Sequence, residues 1–206
     1  QEMDKMNSQY GKEWKLIDSL LNQKRLPKSA LEKIDLVWNR AIKERNEGQQ
    51  IKALIYWSNA TQQVAENTKD TLLPVWIKNI NKAQGVQKAI MQSILAEMVW
   101  NYLENNRWQI QGRTKVADYV LADLATLSLA DFDKQAGSLY LASVSGKEQS
   151  LIPIDKYYAI FSKGKNGLEL RPTVFDVLAQ RAVAHFTNTR TQLSIPINPF
   201  RLIDTT

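Results

Sequence analysis

Val86-Gln87-Lys88-Ala89-Ile90-Met91-Gln92-Ser93-Ile94-Leu95-Ala96-Glu97-Met98-Val99-Trp100-Asn101-Tyr102-Leu103-Glu104 sets the architecture of this chain. Ile90, Ile94, Leu95, Met98, Val99, Tyr102 and Leu103 recur three or four residues apart, the spacing of one helical face. The face is broad, so the segment is expected to be a central helix buried on more than one side. Asn105-Asn106 marks its exit.

Working back toward the N-terminus, Pro74 is suited to start a short helix that carries Val75, Ile77 and Ile80 and ends near Gly85. Asn67 to Thr71 read as a loop. Ile51, Leu54, Ile55, Ala60 and Val64 form a third helix beginning near Gln49. Leu31, Ile34, Val37, Trp38, Ala41 and Ile42 form a second, begun at Pro27. Ser29 with Glu32 is spaced as a capping box for it, and Gly48 is expected to stop it. Trp14, Ile17, Leu20 and Leu21 place the first helix over 12–22. Residues 1–11 are polar, without periodicity, and read as a flexible lead-in.

Toward the C-terminus, Leu124, Leu127, Phe132, Ala136, Leu139 and Tyr140 predict a helix over 121–141. Residues 142–172 are broken by Gly146, Pro153, Gly164 and Gly167, with a short helix over 154–161 capped by Asp155. After Pro172, Thr173 and Asp176 form a capping-box spacing. Phe175, Leu178, Ala179, Ala182 and Phe186 supply the face of the last helix. Pro196 and Pro199 predict an extended tail over 187–206, which stops at Thr206 as if a parent chain continued.

The resulting expectation is an all-α protein, with helical hairpins packed in a repeat-like, tetratricopeptide-like bundle and an irregular C-terminal part. Its organisation is a lead-in over 1–11, a single helical domain over 12–186, and a tail over 187–206. Leu26-Pro27 and Leu73-Pro74 both precede helices, and Ala41 and Ala53 are small residues at a packing seam, as in helix-pair repeats. The full tetratricopeptide consensus is not present.

Composition agrees with a helical globular protein. The 206 residues are 44% hydrophobic and 23% charged, enough apolar matter for a core, and only 8 Gly and 6 Pro break the chain. No apolar run approaches the length of a membrane span, so membrane insertion is not expected. With no cysteine, disulfides, thiolate nucleophiles and Cys-based zinc sites are excluded. The net charge is +6 and the pI about 9.4. Lys and Glu interleave along the helices, however, and Lys24-Arg25 is the only adjacent basic pair. That pattern favours a solvated surface over a nucleic-acid partner. Gln1 fits a mature start after cleavage and an internal fragment equally well.

Catalytic signals are sparse. His185 is the single histidine, and it lacks a nucleophile elbow or zinc motif beside it. Gly164-Lys165-Asn166-Gly167 reads as a turn rather than a phosphate cradle. Asp118 with Asp123, and Asp131 with Asp133, are carboxylate pairs by composition only, and Asp131 and Asp133 point to different helix faces. The expectation is no enzyme, no cofactor, no catalytic residue and no metal ligand. Of the six tryptophans, Trp14, Trp38, Trp57, Trp76 and Trp100 fall within helical patterns and read as core or inter-helix packing. Arg107, Trp108 and Arg113 form the one cluster of aromatic and basic residues. It is the candidate interaction or packing cluster, with helix-end packing favoured over base stacking.

Several segments together resemble the N-terminal helical region of the large alpha-2-macroglobulin-like proteins of Bacteroidetes. These are Trp14 with Leu26-Pro27-Lys28-Ser29-Ala30-Leu31, and Trp100-Asn101-Tyr102 with Asn105-Asn106-Arg107-Trp108 and Arg113-Thr114. Further on come Ile152-Pro153-Ile154 with Tyr157 or Tyr158, and Arg171-Pro172-Thr173-Val174-Phe175-Asp176-Val177-Leu178-Ala179. Their order and rough spacing fit over most of 12–186, and they are packing and turn motifs. The resemblance implies an exported protein much longer than this chain, in the periplasm, the envelope or outside the cell, whose family traps or inhibits proteases. The macroglobulin β-domains and the Cys-Gly-Glu-Gln thioester motif are absent from this sequence, so it would not perform the trapping step. The implied role is a non-catalytic accessory module. Its partner would be the remainder of its own longer chain or an envelope protein. Two alternatives stand beside it: a free-standing helical-repeat scaffold with a concave, apolar and basic groove, and a small helical enzyme using carboxylates in a cleft.

Overall fold

The expected central helix is present and longer than its periodicity indicated. In the computed structural model, which describes residues 2–64, 69–113, 121, 124–161 and 167–188, it runs Gly85–Ile110. Ile90, Leu95, Val99 and Leu103 are buried on its several faces. Asn106 bends the helix rather than ending it (φ −123°, ψ 15°), and its side-chain amide donates to the Tyr102 carbonyl at 2.8 Å. A side chain that competes for a ladder carbonyl is one of the identifiable causes of a kink. In chain order the helices are α1 (Glu2–Asp18), α2 (Pro27–Lys43), α3 (Glu47–Val64), α4 (Lys69–Lys82), α5 (Gly85–Ile110), α6 (Leu129–Val144), α7 (Gly167–Leu170) and α8 (Val174–Phe186). Among the described residues there is no β-strand, only an isolated bridge between Pro153 and Thr173. The protein is all-α, with helices packed on one another.

The polar opening is not a loose lead-in: α1 is helical from Glu2. Its Glu, Met, Lys and Gln residues are good helix formers by intrinsic propensity. Tyr10 lies one turn before Trp14 and is fully buried, which extends the apolar stripe backward. A π-helical turn, Ser19–Gln23, buries Leu20 and Leu21, and the chain reverses at Arg25, in the left-handed region (φ 52°).

Pro27 starts α2 as expected, but Ser29 and Glu32 do not form a capping box. The N-cap is Leu26, three residues before Ser29, and it gives no side-chain cap. Nor does Gly48 stop α2. The helix ends at Lys43, and Arg45 takes the left-handed position (φ 52°) in a three-residue turn. Asn46 then accepts the Gln49 N–H at 3.1 Å and caps α3. Gly48 lies inside α3, where a Cβ would stand 3.5 Å from the Ala159 Cβ, so the glycine sits where α3 meets the 154–161 segment.

Pro74 likewise does not start α4. The helix begins at Lys69, and Pro74 sits within it at the cost of one ladder bond, beside buried Leu72, Leu73 and Trp76. The two Leu-Pro pairs therefore play different roles, and they do not mark a repeat. The helix expected over 121–141 begins only at Leu129. Ser128 caps it through a capping box with buried Asp131, while Leu124 and Leu127 are buried in the turns before it. Gly137 lets the Phe186 ring of α8 approach to 3.3 Å of the position a Cβ would take.

In the C-terminal part, Ile154–Tyr157 is a 3-10 turn rather than a helix to 161, and Pro153, not Asp155, is its N-cap. The bridge ties Ile152-Pro153-Ile154 to Pro172-Thr173-Val174: Ile154 N–H donates to the Pro172 carbonyl at 2.9 Å, and Val174 N–H to that of Ile152 at 3.0 Å. Thr173 and Asp176 form the expected capping box of α8. Thr187 caps the end of α8, and the rest of the expected tail, from 189 on, lies outside the described residues. Two large apolar clusters result, beside a small third one of Ala96, Tyr140 and Ala182. One surrounds α5, and the other joins α1, α2 and α3; Trp38 and Trp57 pack against both.

Candidate functional site: a tryptophan-lined groove

Because Trp38 and Trp57 sit at the seam of the two clusters, each keeps part of its indole outside both. Two adjoining hollows, about 370 Å³ and about 430 Å³, lie there between α2, α3, α4 and α5. They share Trp38, Asn79 and Lys82, so they form one groove. Each volume is within the range of ligand-binding clefts, roughly 300–1,000 Å³.

The indole nitrogens separate the tryptophans into two kinds. Buried Trp14 donates to Gln49 Oε1 at 2.7 Å, and buried Trp76 donates to Ser58 Oγ at 2.8 Å. Trp38 and Trp57, both half-buried, have no hydrogen-bond partner among the described residues. A half-buried indole with an unused donor supplies apolar area together with a polar handle, as at interfaces.

The polar residues of the groove are also unequal. Gln87 donates to Gln50 Oε1 at 2.8 Å, and Gln50 donates to the Ala41 carbonyl at 3.1 Å, which closes the α3–α5 floor with satisfied amides. Lys78 and Lys82 stand one turn apart on α4, exposed along the wall, with no carboxylate at ion-pair distance among the described residues. On the α2 wall, Asp35 is the sole carboxylate lining either hollow.

The residues singled out from the sequence lie elsewhere. Arg107 pairs with Glu104 at 3.3 Å. Trp108 is 77% exposed beyond the Asn106 bend, so helix-end packing does not describe it. Arg113 donates to the carbonyls of Leu124 and Leu127 at 3.0 and 3.4 Å and holds the turn that leads into α6. The two arginines have different partners, and none of the three residues lines the groove. His185 is buried among Trp100, Tyr140 and Phe186, with ring centroids 5.0, 4.8 and 5.2 Å away. Its Nε2 is buried without a partner. Burial lowers its pKa below the usual imidazole range, with the Asp133 charge opposing, and burial raises that of Asp133. Asp131, inside the first turn of α6, accepts the Ser128 N–H at 3.1 Å and completes the capping box. Asp118 and Asp123 lie outside the described residues, as does most of the Gly164–Gly167 turn. Among the described residues no group of three His, Asp or Glu could hold a metal ion.

The remaining ionisable clusters fasten helices together. The Tyr10 hydroxyl donates to Glu44 at 2.6 Å, while Arg40 donates to Glu44 and to Glu13, both at 2.9 Å. Those hydrogen bonds, Tyr10's first, hold the Glu44 carboxyl below its ordinary range. Lys52 lies 4.7 Å over the Trp14 ring and 5.6 Å over that of Tyr56, and burial lowers its pKa. Burial, with donation to Asp18 at 2.8 Å, pushes Tyr56 up to about 12.

The groove was missed in the sequence because each of its tryptophans fits the helical pattern of its own segment. Trp38 and Trp57 are brought to one place by the α2–α3 hairpin, and the lysines by the packing of α4 against α5. The fold and site define an all-helical protein with an open, aromatic and basic groove. No family model, curated protein or solved structure matches the chain.

Proposed function

We propose that this protein is a non-catalytic helical interaction module whose groove receives a polypeptide segment. The observation that carries this is the pair of half-buried indoles, Trp38 and Trp57, with unused N–H groups on a groove that runs across four helices. Buried aromatic anchors beside open polar groups are what protein-binding sites offer. A single carboxylate, Asp35, lines the hollows, which supports binding over the paired-carboxylate chemistry weighed from the sequence. The resemblance to macroglobulin-like proteins supplies the setting. In that setting the module is exported, and the polypeptide it holds belongs to the rest of its own long chain or to an envelope protein.

Panning a random dodecapeptide display library on the full chain tests the reading. Selected peptides are expected to bind the wild type and to lose about tenfold or more in affinity to Asn39→Trp, which from an exposed position crowds the hollow that Asn39 lines with the shared residues Trp38, Asn79 and Lys82. Selected peptides that bind Asn39→Trp and Trp57→Phe as well as the wild type would place recognition elsewhere and end this proposal.

A further inference from the structure

We infer that the groove selects an acidic segment bound in extended form, with acidic side chains two residues apart on Lys78 and Lys82 and an apolar side chain between them against Trp38 and Trp57. The inference rests on the groove being a polypeptide site.

Charge and spacing argue for it. Lys78 and Lys82 are successive residues of one helical face, about 5–6 Å apart at their Cβ atoms. An extended chain rises about 3.3 Å per residue, so side chains two apart point the same way at about 6.6 Å. Two acids at that spacing match the two ammonium groups. Alternation turns the residue between them to the opposite wall, where Trp38 stands on α2 and Trp57 on α3. The walls are not equivalent. Asp35 makes the α2 side negative, so an acidic side chain is repelled there and drawn to α4. Neither lysine has an internal counter-ion among the described residues, so a ligand carboxylate need not displace one. The indole N–H groups of Trp38 and Trp57 remain for the backbone carbonyls of the segment.

A nucleic-acid strand fits less well. It presents a phosphate at every nucleotide and needs a continuous basic track. The groove offers two lysines faced by a carboxylate, and its indoles are half-sunk between helices rather than laid open as stacking platforms.

Three pools of blocked dodecapeptides provide the test. In each, apolar positions are randomised among Leu, Ile, Phe and Gly, and the alternating positions are all Glu, all Gln or all Lys. Fluorescence anisotropy against the full chain should rank the Glu pool about tenfold or more above the Gln pool, with the gap narrowing as salt rises. Lys78→Glu/Lys82→Glu should invert the order in favour of the Lys pool. Lys78→Gln/Lys82→Gln, at the same exposed positions, should level it. Equal binding of the Glu and Gln pools, still lost in Asn39→Trp, would overturn the acidic preference and leave the groove as a peptide site. No pool binding in an Asn39-dependent way would overturn both. An oligothymidylate that binds more tightly than the Glu pool and depends on both lysines would replace the peptide with nucleic acid.

Discussion

His185 concentrates the tension between chemistry and packing at the residue scale. Its ring is held by three aromatic rings, and its Nε2 is buried with no hydrogen-bond partner among the described residues. Burial therefore favours the neutral form, and the folded-state pKa lies below the unfolded value. The unfolded chain then binds more protons between those two values, so stability is fully present above the unfolded pKa and falls as pH drops through that window. Asp133 acts with the opposite sign, because its folded pKa is raised, and it acts within the carboxylate range further down. Urea denaturation at pH 7.5 and pH 5.5 should show the wild type losing stability, with a slope from this group of at most about 1.4 kcal/mol per pH unit. His185→Phe keeps an aromatic ring in the cage and should flatten that slope; an unchanged slope would mean that His185 takes up its proton equally in the folded and unfolded states. The sequence showed only that no nucleophile elbow or zinc motif accompanies His185. Its partners come from α5, α6 and α8, and no local pattern names them.

Element boundaries show how far a local pattern reaches. Thr173 with Asp176 and Ser29 with Glu32 present the same capping spacing, yet only the first forms a box. Thr173 follows Pro172 in extended backbone and is free to cap, with its N–H donating to Asp176 Oδ2 at 2.9 Å. Ser29 is already inside a helix opened by Pro27. Ser128 with Asp131 forms a box that was hidden, because Leu121, Leu124 and Leu127 continue a helical spacing through what are turns. Thr173→Ala should lower the unfolding free energy by about 1 kcal/mol, and Thr173→Ser should restore most of it, read from urea midpoints at constant m. An effect near zero would mean that the bridge at Pro153 alone holds the start of α8. Helix existence was legible because periodicity is local. The starts of α4 and α6 were not, because Pro74 is tolerated inside a helix whose apolar face pays for it and an apolar run can be buried without being helical.

Across the whole molecule, α5 is the common neighbour of α3, α4, α6 and α8. Arg181 of α8 fastens to it by donating to Ser93 Oγ at 2.8 Å, to the Ser93 carbonyl at 3.2 Å and to Glu97 at 2.8 Å. Ser93 is fully buried, so Arg181→Met leaves its hydroxyl without that partner and should cost about 1–3 kcal/mol. Arg181→Lys should recover only part of this, since an ammonium cannot reproduce the guanidinium fork. Equal unfolding midpoints for wild type and Arg181→Met would show that apolar packing alone holds α8. The all-α class and the central place of α5 followed from the sequence itself, since a 3.6-residue apolar period and a scarcity of breakers act within each segment. The groove was decided by tertiary structure. Trp38 and Trp57 satisfy their own helices equally well as core residues, and only the meeting of α2, α3, α4 and α5 leaves their indoles half-covered, facing two lysines with no acid at ion-pair distance among the described residues.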